Sequence, residues 1–250
     1  MEPIEINGQT VSDVVVNGES AGDVTVNGDS VFSAIPDSGS LQAHYDASEI
    51  DANDGDSIST WPDSAGTFDA TGGSPIYREN QVNGQPAVDF DGVDDDLDTG
   101  ITPDTTAQQS VYVVLSMAET DGFAYDSVST DGTTNRFYAA STGSDFWRLG
   151  HGDMSQDSSR EPITNEWKIT AVTYNDGSGA RYNNGDELVS GTGSGVGEVL
   201  SVYIGGRNID GSADDHMDVT IAEILHYQAD HDDETRGEVE SYLNDKYSVY

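Results

Sequence analysis

From Leu41 to the C-terminus the chain keeps returning to one pattern: a short apolar or alternating run closed by a cluster of Gly, Asn and Asp. "SVYVVLSMA", "RFYAAS", "FWRLGH", "WKITAVTY", "ARYNNGDELV", "LSVYIGG" and "VTIAEILHY" are all of this kind. Such runs fit the period of two of a strand, and no helical period separates them. Strands that follow one another directly pair antiparallel, and about 210 residues of them are best buried as two sheets face to face. The expected class is all-β, a two-sheet antiparallel sandwich. "YNNGDEL" puts Asn184-Gly185 at a hairpin tip, where a tight type I′ turn favours that dipeptide. A short C-terminal helix is expected over "DDETRGEVESYLNDKY". Acids open it, where the helix dipole favours them, and Val239, Tyr242, Leu243 and Tyr247 make one apolar stripe.

The first 34 residues are different. Asn-Gly recurs at Asn7-Gly8, Asn17-Gly18 and Asn27-Gly28, a period of ten residues. If each is a two-residue turn, Ile6 pairs with Gln9 and Ile4 with Val11. The same slots then hold Val14, Val16 and Ala21, and after them Val24, Val26 and Val31. Each hairpin has one apolar face, and strands of about three residues do not stand alone in water. That face needs a cover: neighbouring repeats, other subunits, another protein or the chain's own main domain. The Pro, Ser and Gly of "IPDSGS" read as a linker. The expected organisation is a β-hairpin repeat module over 1–34, a linker over 35–40 and the main domain over 41–250.

Charge limits the partners. Acidic residues outnumber basic ones 47 to 9, for a net charge of −38, and Lys168 and Lys246 are the only lysines. Phosphate backbones and anionic lipid surfaces are held by Lys and Arg, so neither nucleic acid nor membrane insertion is expected. In molar salt the Debye length falls to roughly 3 Å and dense surface acid stops repelling itself. The profile is the one expected of a protein that works in high salt. The absence of cysteine excludes disulfides and thiol chemistry. No run approaches membrane-span length, and "MEPIEINGQT" has no basic start or apolar stretch of a secretory signal.

Three segments carry a family likeness: "HYDASEIDANDGDSISTWPDSAG", "NGQPAVDFDGVDDDLDTG" and "IAEILHYQADHDDETRGEVESYLNDKY". With Trp61, Asp63 and Ser64 in the first and Phe90, Asp91, Gly92 and Asp94 in the second, the main domain resembles the laminin-G-like branch of the concanavalin A-like lectin and glucanase fold. The resemblance implies a jelly roll and says little about ligand, because lectins, adhesion modules and hydrolases share it. The Asn-Gly-x-Ser/Thr repeat resembles short β modules on structural proteins of tailed viruses that infect halophilic archaea.

The sequence offers little catalytic chemistry. "EIDAND" (Glu49, Asp51, Asp54) approaches the Glu-x-Asp-x-x-Glu strand of some glycosidases on this fold. Retaining hydrolysis needs two rigid carboxyls about 5–5.5 Å apart, whereas "DANDGDS" reads as a loop. There is no Gly-x-Ser-x-Gly elbow and no His-Glu-x-x-His helix. The glycine-rich "GTGSGVGE" lacks the strand-to-helix setting of a phosphate loop, and His226 reads as a core histidine. The expectation is not an enzyme.

Binding chemistry is better represented. "DFDGVDDDLD" gathers Asp91, Asp94, Asp95 and Asp96 beside a glycine, the oxygen-rich loop that calcium favours, and ordinary surface acid is the competing account. "FYAASTGSDFWRLGHGD" supplies Tyr138, Trp147, Arg148 and His151 as candidate ligand-binding residues, since a sugar needs an aromatic face with polar groups beside it. Trp61 and Trp167 are expected to be buried. The functional expectation is a virion surface protein (tail fibre, turret or capsid decoration) of a halophilic archaeal virus. Its partners would be copies of itself and other virion proteins through residues 1–34, and a host-surface glycan or glycoprotein through the jelly roll. A secreted or cell-surface carbohydrate-binding module is the alternative, with a polysaccharide hydrolase third.

Overall fold

This computed structural model describes residues 5–6, 9–10, 24–26, 29–32, 34–104, 107–117, 122–128, 136–143, 146–152, 154–157, 165–175, 178–192, 200–209 and 212–250. At 5–32, 127–128, 136–157, 208–209 and 212–214 the backbone alone is described. The chain divides into two compact units, Met1–Ser38 and Gly39–Tyr250.

In the first unit Glu5–Ile6 pairs with Gln9–Thr10, with Ile6 opposite Gln9 as expected. Val24–Val26 pairs with Asp29–Phe32, with Val26 opposite Asp29. The register departs from expectation at one place. A bulge sets Val24 opposite Phe32 instead of Val31, because one strand carries an extra residue there. Residues 11–23, with the second Asn-Gly, lie outside the described residues.

The second unit is the expected sandwich of two sheets. One has eight strands, in the order Asp186–Thr192, Ser178–Asn183, Lys168–Asn175, Gln109–Met117, Asp218–Tyr227, Gln85–Asp91 and Ile76–Val82. Leu41–Asp46 lies end to end with Gln85–Asp91 along the same long strand, pairing with its residues 223–227 while the other takes 218–221. The ten-stranded sheet runs Met154–Asp157, Phe146–Gly152, Arg136–Gly143, Gly122–Val128, Tyr203–Ile204, Leu97–Asp98, Ala70–Thr71 and Thr60–Trp61. Arg207–Ile209 and Ser212–Asp214 flank Gly122–Val128, and Arg207–Ile209 meets it in parallel. Asn184-Gly185 is the hairpin tip expected. Both residues have positive φ, 50° and 84°, as a type I′ turn demands.

Alternation builds the core. Val111, Val113, Leu115 and Met117 point between the sheets with Val219, Ile221 and Ile224, and meet Trp61, Leu97, Tyr125 and Ile204 from the other side. His226 lies fully buried among them, its Nδ1 2.8 Å from the Tyr125 hydroxyl and its Nε2 3.0 Å from Gln109 Oε1. Burial holds its pKa down to about 3, so the ring is neutral in the folded protein.

One irregularity positions the charged groups. Leu115 is opposite Ile221 and Val114 opposite Glu223, so Ala222 is an extra residue in the long strand. The bulge reverses the alternation and turns Glu223, Leu225 and Tyr227 onto the outer face. That face is covered by the helix Asp233–Tyr247. Asp232 caps it by accepting from Thr235 N at 2.9 Å, and Ser248 closes it in the left-handed conformation. Val239, Leu243 and Tyr247 are buried as expected, whereas Tyr242 is half-buried. Glu240 is buried too, bound to Arg236 at 2.6 Å.

Candidate functional site

The carboxylates of "EIDAND" are not on one strand. Ala47–Glu49 is a single 3₁₀ turn that ends on exposed Glu49, and exposed Asp51 and Asp54 lie in the loop that follows. Asp54 accepts from Glu79 N at 3.1 Å. Asp51 and Asp56 line a hollow of about 400 Å³, but Asp56 accepts from both Asn53 N and Asn53 Nδ2 at 2.9 Å. Those bonds hold its carboxyl below the usual range, which favours the ionised form over a proton donor.

Three of the four expected metal-loop acids come together. Asp91, Asp94 and Asp95 each bring a carboxylate oxygen within 4.8 Å of the others. Gly92 makes the turn at φ 73°, and a Cβ there would stand 2.7 Å from Asp218 N. Asp91 Oδ1 accepts from Val93 N at 2.8 Å and Asp94 N at 3.3 Å, and buried Asp95 accepts from Asp91 N at 3.2 Å. Burial, reinforced by the charges of Asp91 and Asp94, pushes the Asp95 carboxyl up. Asp96 corrects the expectation. It is drawn away from the other three by His216, whose Nε2 lies 3.2 Å from its Oδ2. An all-oxygen donor set suits calcium better than zinc, but three carboxylates give only part of the six to eight oxygens calcium takes.

A second triad, His44, Asp46 and Glu223, is equally close-set and wholly buried. It already holds a cation. Lys246 Nζ reaches in from the helix, 2.5 Å from Asp46 and 2.6 Å from Glu223. His44 Nε2 lies 2.8 Å from Glu223 Oε1, and the Tyr247 hydroxyl donates to Glu223 Oε2 at 2.8 Å. Lys246 holds the Asp46 carboxyl below its usual range despite burial, and the two carboxylates hold the ammonium pKa up. This is a clasp between helix and sheet.

Tyr138, Trp147, Arg148 and His151 lie on two neighbouring strands of the ten-stranded sheet, with Tyr138 opposite Gly150, Phe137 opposite His151 and Thr142 opposite Trp147. Their side chains lie outside the described residues. So does most of the glycine-rich 191–198 segment.

The tryptophans divide the expectation. Trp61 is fully buried, edge-on to Tyr45. Trp167 is only half-buried. It stands just before the Lys168–Asn175 strand, at an end of the eight-stranded sheet, beside two hairpin tips and the residues after the helix. There it lines a pocket of about 400 Å³ with Gln81, Val82, Asn83, Asn165, Lys168 and Asn184. Sequence reasoning missed this site. The available signal was the polar company of Trp167 in "TNEWK".

No family model matches the sequence, and no curated protein does. Solved structures do. A Trypanosoma rangeli sialidase in complex with sialic acid superposes with a TM-score of 0.61 at 15% identity, over 90% of this chain and 36% of that one. Domain 4 of AbnA, a GH43 extracellular arabinanase from Geobacillus stearothermophilus, in complex with arabinotriose, gives 0.57 at 19% identity, over 80% of this chain and 98% of that domain. The receptor-binding domain of botulinum neurotoxin C/D mosaic serotype gives 0.56 at 14%, over 82% and 51%. The chain thus spans about a third of the sialidase's length. At these identities the likeness shows the fold alone: a two-sheet, lectin-like β-sandwich.

Proposed function

We propose that this chain is a non-enzymatic glycan-recognition protein, displayed in several copies on the surface of a virus of halophilic archaea. The observation that carries the reading is the joining of a lectin-like sandwich to a separate unit of short hairpins. Strands that short need a cover, and shared cover among copies, or on a scaffold's sheet edge, turns the unit into an assembly element. Several copies multiply weak sugar contacts into avidity. The placement of Glu49 in a 3₁₀ turn and of Asp51 and Asp54 in a loop, rather than on one strand, supports the non-enzymatic part, and the charge of −38 supports the high-salt part. Calcium on Asp91, Asp94 and Asp95 belongs to the same reading. Adding it raises the melting temperature of the full chain, and Asp94→Asn abolishes the rise; no rise removes calcium from the account.

The test of assembly is light-scattering mass in about 2–3 M salt, where screening is nearly complete, for the full chain and for residues 41–250. An oligomer that becomes monomer on truncation supports the reading. A truncated chain that keeps the oligomer, or a full chain that is itself a monomer, contradicts the multivalent part.

A further inference from the structure

We propose that the pocket beside Trp167 is a binding site for a neutral sugar ring, the place where the glycan recognition proposed above, on which this inference rests, is carried out. Two other hollows of similar size have no aromatic lining: one at the edge formed by Thr173, Ser178–Ala180 and Ser190–Thr192, the other beside Asp51 and Asp56. The Trp167 pocket combines an aromatic ring with four side-chain amides, from Gln81, Asn83, Asn165 and Asn184. An aromatic face takes the C–H face of a sugar, and the amides together offer donors and acceptors to neighbouring hydroxyls: the carbonyl oxygens of Gln81 and Asn83, the NH₂ of Asn184 and both ends of Asn165.

Two of the amides, those of Asn83 and Asn184, are held in advance by hydrogen bonds, and the backbone places a third. Asn83, Asn165 and Asn184 all sit in the left-handed region, at φ 47°, 53° and 50°, which asparagine tolerates better than most residues. Asn83 Nδ2 donates to Tyr247 O and Ser248 O, and Asn184 Oδ1 accepts from Ile169 N at 2.9 Å. Among the described residues, the other ends of those two amides, the Asn165 side chain and the Trp167 indole N–H have no hydrogen-bond partner. A site with fixed, available polar groups loses little entropy on binding.

Charge selects the class of sugar. Lys168 Nζ stands 4.0 Å from the Glu166 carboxylate, so the local cation is offset. With Lys168 paired to Glu166, no unpaired cation remains among the described lining residues to hold an acidic sugar, so the site suits a neutral one.

The experiment screens the full chain in high salt against an array of immobilised neutral and sialylated oligosaccharides, arabinotriose included, and titrates the strongest binder by calorimetry. The proposal expects a neutral oligosaccharide, weakened about tenfold or more by Trp167→Ala, less by Trp167→Phe, and by a few-fold in Asn165→Gly, which keeps the backbone and removes the amide. Melting temperatures report whether the variants fold. Wild-type binding that Trp167→Ala leaves intact overturns this site but spares the glycan reading. A wild type that prefers sialylated glycans overturns the neutral assignment. A wild type that binds nothing on the array overturns both the site and the reading it rests on.

Discussion

Trp61, on the last strand of the ten-stranded sheet, is part of the buried core, its ring centre 6.1 Å from that of Tyr45 and none of its surface exposed. Trp167 stands at an end of the eight-stranded sheet, half-buried and lining a pocket. The first buries an indole N–H with no partner, a cost of about 1–3 kcal/mol that the packed ring offsets. The second keeps its N–H available and has amides for neighbours. Two acidic triads repeat the contrast. His44, Asp46 and Glu223 are buried and neutralised by Lys246, whereas Asp91, Asp94 and Asp95 sit on a loop whose described donors are backbone N–H groups and the Ser74 hydroxyl, with no cation among them. In so acidic a chain, a lysine spent inside the fold marks a structural site, and polar capacity left open at the rim marks a binding one.

The two tryptophans differ most in what their removal costs. Trp61→Ala is expected to cost about 3–5 kcal/mol in denaturant melts, as large core truncations do, while Trp167→Ala costs less than about 1 kcal/mol. Similar losses at both positions would erase the distinction between core and site. Trp61→Phe, which removes the unpartnered N–H, should cost much less than Trp61→Ala.

Next comes the clasp. Lys246→Ala leaves Glu223 fully buried and Asp46 nearly so without their counter-ion, for a loss of about 3 kcal/mol. That is the low end for a broken buried pair, because the lysine side chain is itself partly exposed. Asp94→Asn in the other triad should change stability by less than about 0.5 kcal/mol without calcium. Urea midpoints compare the two directly, and a larger effect at Asp94 would reverse the assignment of roles.

A smaller, pH-dependent effect belongs to His226. Its folded pKa, about 3, lies below the unfolded value of 6.5, so the unfolded state takes up the proton first. The stability this histidine supports is intact above pH 6.5 and is lost as pH falls toward 3. At pH 5 the loss is about 2 kcal/mol. Asp46, also held below its usual value, acts with the same sign at still lower pH. Protonating surface acids relieves self-repulsion and works the other way, so the measurement is the difference between wild type and His226→Gln across pH 8 to 5 at molar salt. Parallel curves would remove His226 from the pH response.

Most of the strand plan and the helix could be read from the sequence because they rest on local patterns: a short apolar run for Gln109–Met117, and a period of roughly three to four for Val239, Leu243 and Tyr247. What could not be read depends on distant residues. Strict alternation from Val219 and Ile221 puts Glu223 inside the sandwich, and only the bulge at Ala222 turns it outward. Its partners, Lys246 and His44, lie 23 and 179 positions away. The aspartate loop was legible as a group because Gly92 folds it locally, while the departure of Asp96 depends on His216, 120 positions on. Trp167 was misread for the same reason. An aromatic residue opening a strand is buried only if something covers it, and what surrounds it here arrives from two hairpin tips and the residues after the helix.

The most direct test of the central claim uses the indole N–H resonances of the full chain, of which the three tryptophans supply three. The chain is labelled with ¹⁵N and titrated in high salt with the strongest oligosaccharide from the array, with Trp167→Phe giving the assignment. The account predicts that the Trp167 signal moves saturably while that of Trp61 stays still. A Trp167 signal that holds its position while another indole moves, or three that never move although the glycan binds, would contradict it.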